Sequence, residues 1–186
     1  MRGFLVLLTA TTAFAAGPQF DLRDTTGVRH SQQEWRNKKA VVVFFTMTDC
    51  PLSNGYVPEM NRIAADYSKQ GVAVFAAHSD PSTSPDAVKK HAVEFAFAFP
   101  VLLDPKLTLA HAAGAATVPE AAVFSTTGEL LYLGRIDNRM EDVTRRRTTT
   151  TEFDLRSALD AVLAGRAPSP SRTRAVGCSI NLQGVQ

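Results

Sequence analysis

A chain of 186 residues, 45% hydrophobic and 20% charged, can build one globular domain with a substantial core. Its 20 Lys and Arg stand against 18 Asp and Glu, a formal charge of +2, which argues against a broad basic surface and a nucleic-acid partner. Two cysteines are too few for a disulfide scaffold but enough for a single pair.

The first segment, residues 1–15, carries one arginine, an apolar stretch and Ala13-Phe14-Ala15, and it reads as a secretory signal cleaved after Ala15. No other segment approaches the roughly 18 apolar residues of a membrane-spanning helix, so stable membrane insertion is not expected. The expected location is therefore outside the cytoplasm, in a bacterial-type periplasm or beyond, where disulfides persist. The domain is expected over residues 16–165. Within it, Asp24–Gly27 is a turn signal, and a polar stretch from Ser31 to Lys39 precedes the first strand. Trp35 in that stretch is assigned a packing role.

The run Ala40–Thr46 is apolar and β-branched and predicts a buried strand. Leu52, Tyr56, Met60, Ile63, Ala64 and Tyr67 then recur at helical spacing on one apolar face, and Gly71 follows as a stop. A second buried strand, Gly71–His78, completes a strand–helix–strand unit, which implies a parallel pair with a right-handed crossover. Further on, Ala87–Phe97 and Lys106–Ala113 read as helices, with a short strand near Phe99–Leu103 between them. Residues 123–133 form antiparallel strands about a Gly128 turn, and Phe153–Ala164 is the last helix. The Arg145-Arg146-Arg147 run beside four threonines is read as a solvated loop. These elements give an α/β fold, a mixed central sheet with helices on both faces.

Cys50 ends the loop after the first long strand, and Pro51 suits the first position of a helix, where a missing N–H costs nothing. The sulfur then faces unpaired N–H groups and the positive end of the helix dipole, both of which favour thiolate over thiol. Flanked by Thr48, Asp49, Ser53 and Asn54, it is expected to be an accessible, nucleophilic thiol. Asp49 is assigned a capping role at that helix start. Residues 166–186 form a Pro/Ser-rich tail carrying Cys178, expected to be extended and without a core of its own. Cys178 either pairs with Cys50 in a stable disulfide or resolves a Cys50 that has been attacked first.

This pattern resembles the thioredoxin-like superfamily, and within it the exported redoxin (AhpC/TSA-type) branch of thiol oxidoreductases. The strand leading into Cys50-Pro51-Leu52-Ser53, the helix proline Pro58 eight residues after Cys50, and the terminal hairpin are similar to that superfamily in order and spacing. Val118-Pro119 sits where the family places a cis-proline opposite the reactive sulfur. The Gly177-Cys178-Ser179-Ile180 ending is similar to that of one exported redoxin-like subset. The resemblance implies a thioredoxin-like three-layer sandwich. It also implies a Cys50 nucleophile, with Val118, Pro119 and Ser53 beside the substrate. Two positions depart from the family: Ser53 replaces the second cysteine of Cys-x-x-Cys, and Met47 and Pro119 stand where peroxiredoxins carry a hydroxyl residue and an arginine.

The expected activity is thiol-based redox chemistry: Cys50 attacks a protein or small-molecule disulfide, or a peroxide, and Cys178 or an external thiol resolves it. No cofactor and no metal are expected. The competing reading is a binding module, either a non-catalytic disulfide-stapled domain or a copper site. That site would use Cys50, Cys178 and one of His78, His91 or His111. Thioredoxin-fold copper chaperones carry Cys-x-x-x-Cys, and Asn54 occupies the second cysteine position here.

Overall fold

The computed structural model describes residues 17–183, so the signal segment expected over residues 1–15 lies outside the described residues. A short hairpin opens the domain, β1 (Asp21–Arg23) and β2 (Arg29–Ser31), paired antiparallel. The Asp24 carboxylate makes the turn by accepting from the backbone N–H groups of Thr26 and Val28, and Gly27 supplies the positive φ of 92°. The sequence reading placed a turn here but no strands, since three residues are too few to show alternation. A 3-10 segment, Gln32–Asn37, then carries Trp35 into the interior.

Five strands form the main sheet: β3 (Ala40–Thr46), β4 (Val72–His78), β5 (Val101–Leu103), β7 (Glu120–Phe124) and β8 (Leu130–Gly134), in the order β5-β4-β3-β7-β8. β3 runs parallel to β4, and β4 to β5, whereas β7 and β8 are antiparallel neighbours. The central strand β3 is buried along its whole length, which explains its unbroken apolar run. Its side chains alternate between two cores. Val41, Val43 and Phe45 face Trp35, Leu109 and Ala122, while Val42 and Phe44 face Tyr56, Met60, Ile63 and Leu159.

On that second face lie α1 (Pro51–Ser68), α4 (Asp154–Leu163) and, against β4 and β5, α2 (Pro85–Glu94). The opposite face is covered by the hairpin, the 3-10 segment and α3 (Thr108–Ala113). This is the mixed sheet with helices on both faces that the sequence implies. The predicted apolar face of α1 is buried at Tyr56, Met60, Ile63, Ala64 and Tyr67, whereas Leu52 is only partly buried and packs against the other core.

Glu59 is almost fully buried on α1 and takes ion pairs from Arg62, from Arg156 of α4 and, at 3.9 Å, from Arg139. Arg139 also pairs with buried Asp137, whose carboxylate accepts from the Tyr56 hydroxyl at 3.0 Å. Buried charges are tolerated only when paired, and this network fixes the start of the long 135–153 connection against α1. Arg145 and Arg147, read from sequence as solvated, pair with Glu141 near the surface.

Residues 166–183 are not a free tether. Leu133 of the edge strand β8 donates its N–H to Ser171 at 3.0 Å, and Thr173 donates back to Leu133 at 3.1 Å. The Thr173 hydroxyl also meets the Tyr132 hydroxyl and the Arg135 N–H. The tail thereby covers a sheet edge that would otherwise present unpaired groups. A Cβ on Gly134 would lie 2.6 Å from the Thr173 carbonyl oxygen, so the approach needs glycine. Composition alone cannot show that such a segment finds an edge to pair with.

Trp35 is fully buried, with ring centroids 5.4 Å from Phe20 and 5.3 Å from Phe124. Trp35→Ala is expected to cost about 3–5 kcal/mol of stability. Chemical denaturation of the two proteins measures it, and the disulfide state of the folded variant should be unchanged.

Candidate active site at the start of the first helix

Cys50 is the N-cap of α1, with Pro51 at the first helical position as the sequence suggests. The Cys50 carbonyl accepts the first helical hydrogen bond, from Asn54 N at 3.0 Å, and no acidic residue stands in the first turn to offset the dipole. Asn54 braces the approach loop by donating its side-chain amide to the Thr48 carbonyl at 2.9 Å. Asp49 is exposed on that loop, and α1 has no side-chain cap at its N-cap position.

The Val118–Pro119 peptide bond is cis, and Cys50 Sγ lies 3.4 Å from the Val118 carbonyl oxygen. Residues separated by 68 positions thus meet because β3 and β7 are neighbours, with Phe45 opposite Glu120 in register. The short strand β6 (Thr117–Val118) precedes Pro119 outside the main sheet. The Glu120 carboxylate turns back to accept from Ala116 N at 3.1 Å, and burial raises its pKa above the usual carboxylate value.

Cys178 is disulfide-bonded to Cys50, with their Cα atoms 6.2 Å apart and 128 positions between them in the chain. The Cys50 contact with Val118 is therefore not a hydrogen bond in this state, because a disulfide sulfur carries no proton. What brings Cys178 there is β9 (Cys178–Ser179), which pairs antiparallel with β6: Val118 opposite Cys178, Thr117 opposite Ser179. Ile180 continues the contact by donating to Ala116 O at 2.9 Å and burying its side chain in the core. Gly177 crosses so near that a Cβ would fall 1.9 Å from the Val118 oxygen.

The expectation of an accessible Cys50 is corrected here: its relative exposure is 0%, whereas Cys178 is only partly buried. The sulfur is bonded to Cys178 and packed in one core cluster with Val118 and Ile180, which the polar flanks of the loop could not reveal. Ser53 is likewise fully buried, on the sheet-facing side of α1. Val118 and Pro119 are buried beneath Gly177.

A second polar group was not singled out as a unit from sequence. Thr46 and His78 end β3 and β4 side by side in register, on the face that α1 covers. Among the described residues, Thr46 Oγ1, Ser53 Oγ and His78 Nε2 are buried without a hydrogen-bond partner. His91 lies near, its Nε2 2.8 Å from Asn54 Oδ1. Both sulfurs of the copper reading are held in the disulfide, and no three His, Cys, Asp or Glu side chains converge as a metal site among the described residues.

The AhpC/TSA family profile matches residues 15–133, well over half of the chain. The chain belongs to the AhpC/TSA family. A solved structure of an uncharacterized conserved protein from Geobacillus kaustophilus is 30% identical, with a TM-score of 0.76 over 92% of this chain and 93% of that one. A hypothetical protein from Sinorhizobium meliloti 1021 is similar at 27% identity and a TM-score of 0.75, covering 93% of this chain and 97% of its own. Both likenesses take in more of the chain than residues 1–165 alone would supply, so they extend into the tail. A curated relative, the thiol-disulfide oxidoreductase ResA of the same Geobacillus species, is 28% identical over 143 residues, 76% of this chain and 80% of its own. The fold is accordingly the thioredoxin-like one that the sequence resembles.

Burial pushes the His78 imidazole down to about 4, against the opposing pull of Asp80 and Asp49 and with some help from His91. The native state therefore keeps His78 neutral, while the unfolded chain takes up a proton below about 6.5. Stability should fall as pH drops from about 6.5 to about 4, by up to about 3 kcal/mol from this residue. Urea unfolding across that window should show a flatter pH dependence for His78→Gln than for the parent.

Proposed function

We propose that the protein is an exported thiol-disulfide oxidoreductase whose redox pair is Cys50 and Cys178. The observation that carries this reading is the disulfide joining the α1 N-cap to the tail beside the cis Val118–Pro119 bond. The reaction class agrees with the ResA relative, and no helix among the described residues is long and apolar enough to cross a membrane.

In the reduced protein the Cys50 thiolate, favoured by the helix N-terminus, attacks one sulfur of a substrate disulfide. A mixed disulfide forms and the substrate's other sulfur leaves as a thiolate. The Cys178 thiolate then attacks Cys50 Sγ, closing the intramolecular bond and expelling the second substrate thiolate. The substrate has gained two electrons and the protein is left in the disulfide state described above. Val118 and Pro119 line the sulfur, and Val118 offers its backbone to an extended substrate once the tail has left. Ser53, in the position of the missing second cysteine, supplies no sulfur, so the resolving role moves to the tail. Disulfide substrates are favoured over peroxide because Met47 and Pro119 replace the residues with which peroxiredoxins treat peroxide.

Reduction of a model disulfide such as 5,5′-dithiobis-(2-nitrobenzoate) tests this. Cys50→Ser should lose the fast phase entirely. Cys178→Ser should release one equivalent of thionitrobenzoate fast and keep the other half of the reagent as a stable mixed disulfide on Cys50. The rate should report a Cys50 pKa below the free-cysteine value of about 8.5. Equal rates for both single variants would overturn the assignment.

A further inference from the structure

The first turn of α1 is held from outside the helix. Asn54 ties two carbonyls of the segment that leads into it: its backbone N–H donates to Cys50 O at 3.0 Å and its side-chain amide to Thr48 O at 2.9 Å. A carbonyl oxygen only accepts, so Asn54 Nδ2 must face Thr48 and Oδ1 must face away. There Oδ1 meets His91 Nε2 of α2 at 2.8 Å. An amide oxygen also only accepts, so His91 carries a proton on Nε2. That polarity holds for the neutral and the protonated ring alike. Burial keeps His91 below its usual pKa, against the pull of Glu94 on its own helix and Asp49 on the loop.

The imidazole is itself fixed. His91 is buried in the last turn of α2, its ring centroid 4.7 Å from that of Phe95 and 5.7 Å from that of Phe97. Phe97 packs on Phe99, and Phe99 on Phe44 of β3, the strand that delivers the Cys50 loop. The chain of contacts therefore returns to the element it braces.

Resting on the proposed Cys50 nucleophile, we propose that His91 is a positioning residue for the reaction. Its Nε2–H locks the Asn54 amide, and the locked amide holds Thr48 to Cys50 so that the sulfur stays before the free N–H groups of the first turn. Pro51 has no N–H, so Leu52 and Ser53 carry those groups. The favourable field of a helix end falls off within one turn, so a displaced loop loses it. Without the His91 donor the amide can turn over, which sets Oδ1 against the Thr48 carbonyl and releases the segment. None of the three bonds uses a cysteine side chain.

The test measures alkylation by iodoacetamide against pH in the reduced full-length protein, in a Cys178→Ser background where Cys50 is the thiol that reports. His91→Ala should raise the midpoint of the Cys50 profile by about 0.5–1, the worth of one hydrogen bond. Asn54→Ala, which keeps the His91 ring and its aromatic packing, should give the same rise, and the double variant no more than either single one. His91→Gln, whose amide N–H can stand in for Nε2–H, should keep the parental midpoint. Val88→Ala, which removes buried packing from α2 without touching the brace, should lose stability and also keep it. A parental midpoint in His91→Ala or Asn54→Ala, additive rises in the double variant, or an equal rise in His91→Gln or Val88→Ala overturns the positioning role. A parental midpoint at or above about 8.5 instead overturns the nucleophile reading on which it rests.

Discussion

The two-residue ladder between Thr117–Val118 and Cys178–Ser179 holds the second sulfur over the first. It does so at the edge preceding the cis proline, where the family resemblance places the backbone of a substrate. In the oxidised state the chain's own tail therefore occupies that edge. A bond across 128 positions also confines the unfolded chain, by about 5 kcal/mol in the loop-entropy account. The disulfide thus ties the C-terminal cover to the start of α1, and in the proposed cycle it is also the redox-active bond.

Opposing forces act on Cys50. The α1 N-terminus favours a thiolate, but an apolar enclosure disfavours any charge. While the tail is docked the sulfur is bonded and the conflict does not arise. In the proposed cycle the thiolate forms only when the disulfide is open, with the helix N-terminus beside it. The strap and the reactive thiol are compatible because the charge appears only when the strap is no longer covalently held. The Leu133–Ser171–Thr173 bonds join the tail to β8 without using either cysteine.

The central part of the fold was legible because its signals are local. The β3 run, the α1 stripe, Cys50-Pro51 and Val118-Pro119 each state their structure within about ten residues. The hairpin β1–β2 is too short to show periodicity. The tail's seat was legible only as a suspicion raised by Cys178, because edge pairing depends on a partner about forty residues away on β8. The buried state of Cys50 followed from that missing contact: polar neighbours signal access only when nothing else covers them. Similarly, Ser53 and His78 stood out in the sequence for other roles, and only the β3–β4 register and the α1 packing bring them together with Thr46 onto one buried face. Glu59 could have been noticed as a charge among the apolar positions of α1, which asks for a cationic partner from elsewhere in the chain.

The claim that Cys50 and Cys178 act as one intramolecular redox pair is tested most directly by equilibrating the protein in dithiothreitol buffers of defined ratio and counting free thiols by mass after alkylation. The account predicts that both thiols appear together in a single two-electron transition whose midpoint is independent of protein concentration. Separate transitions for the two cysteines, or a midpoint that moves with protein concentration, would contradict it.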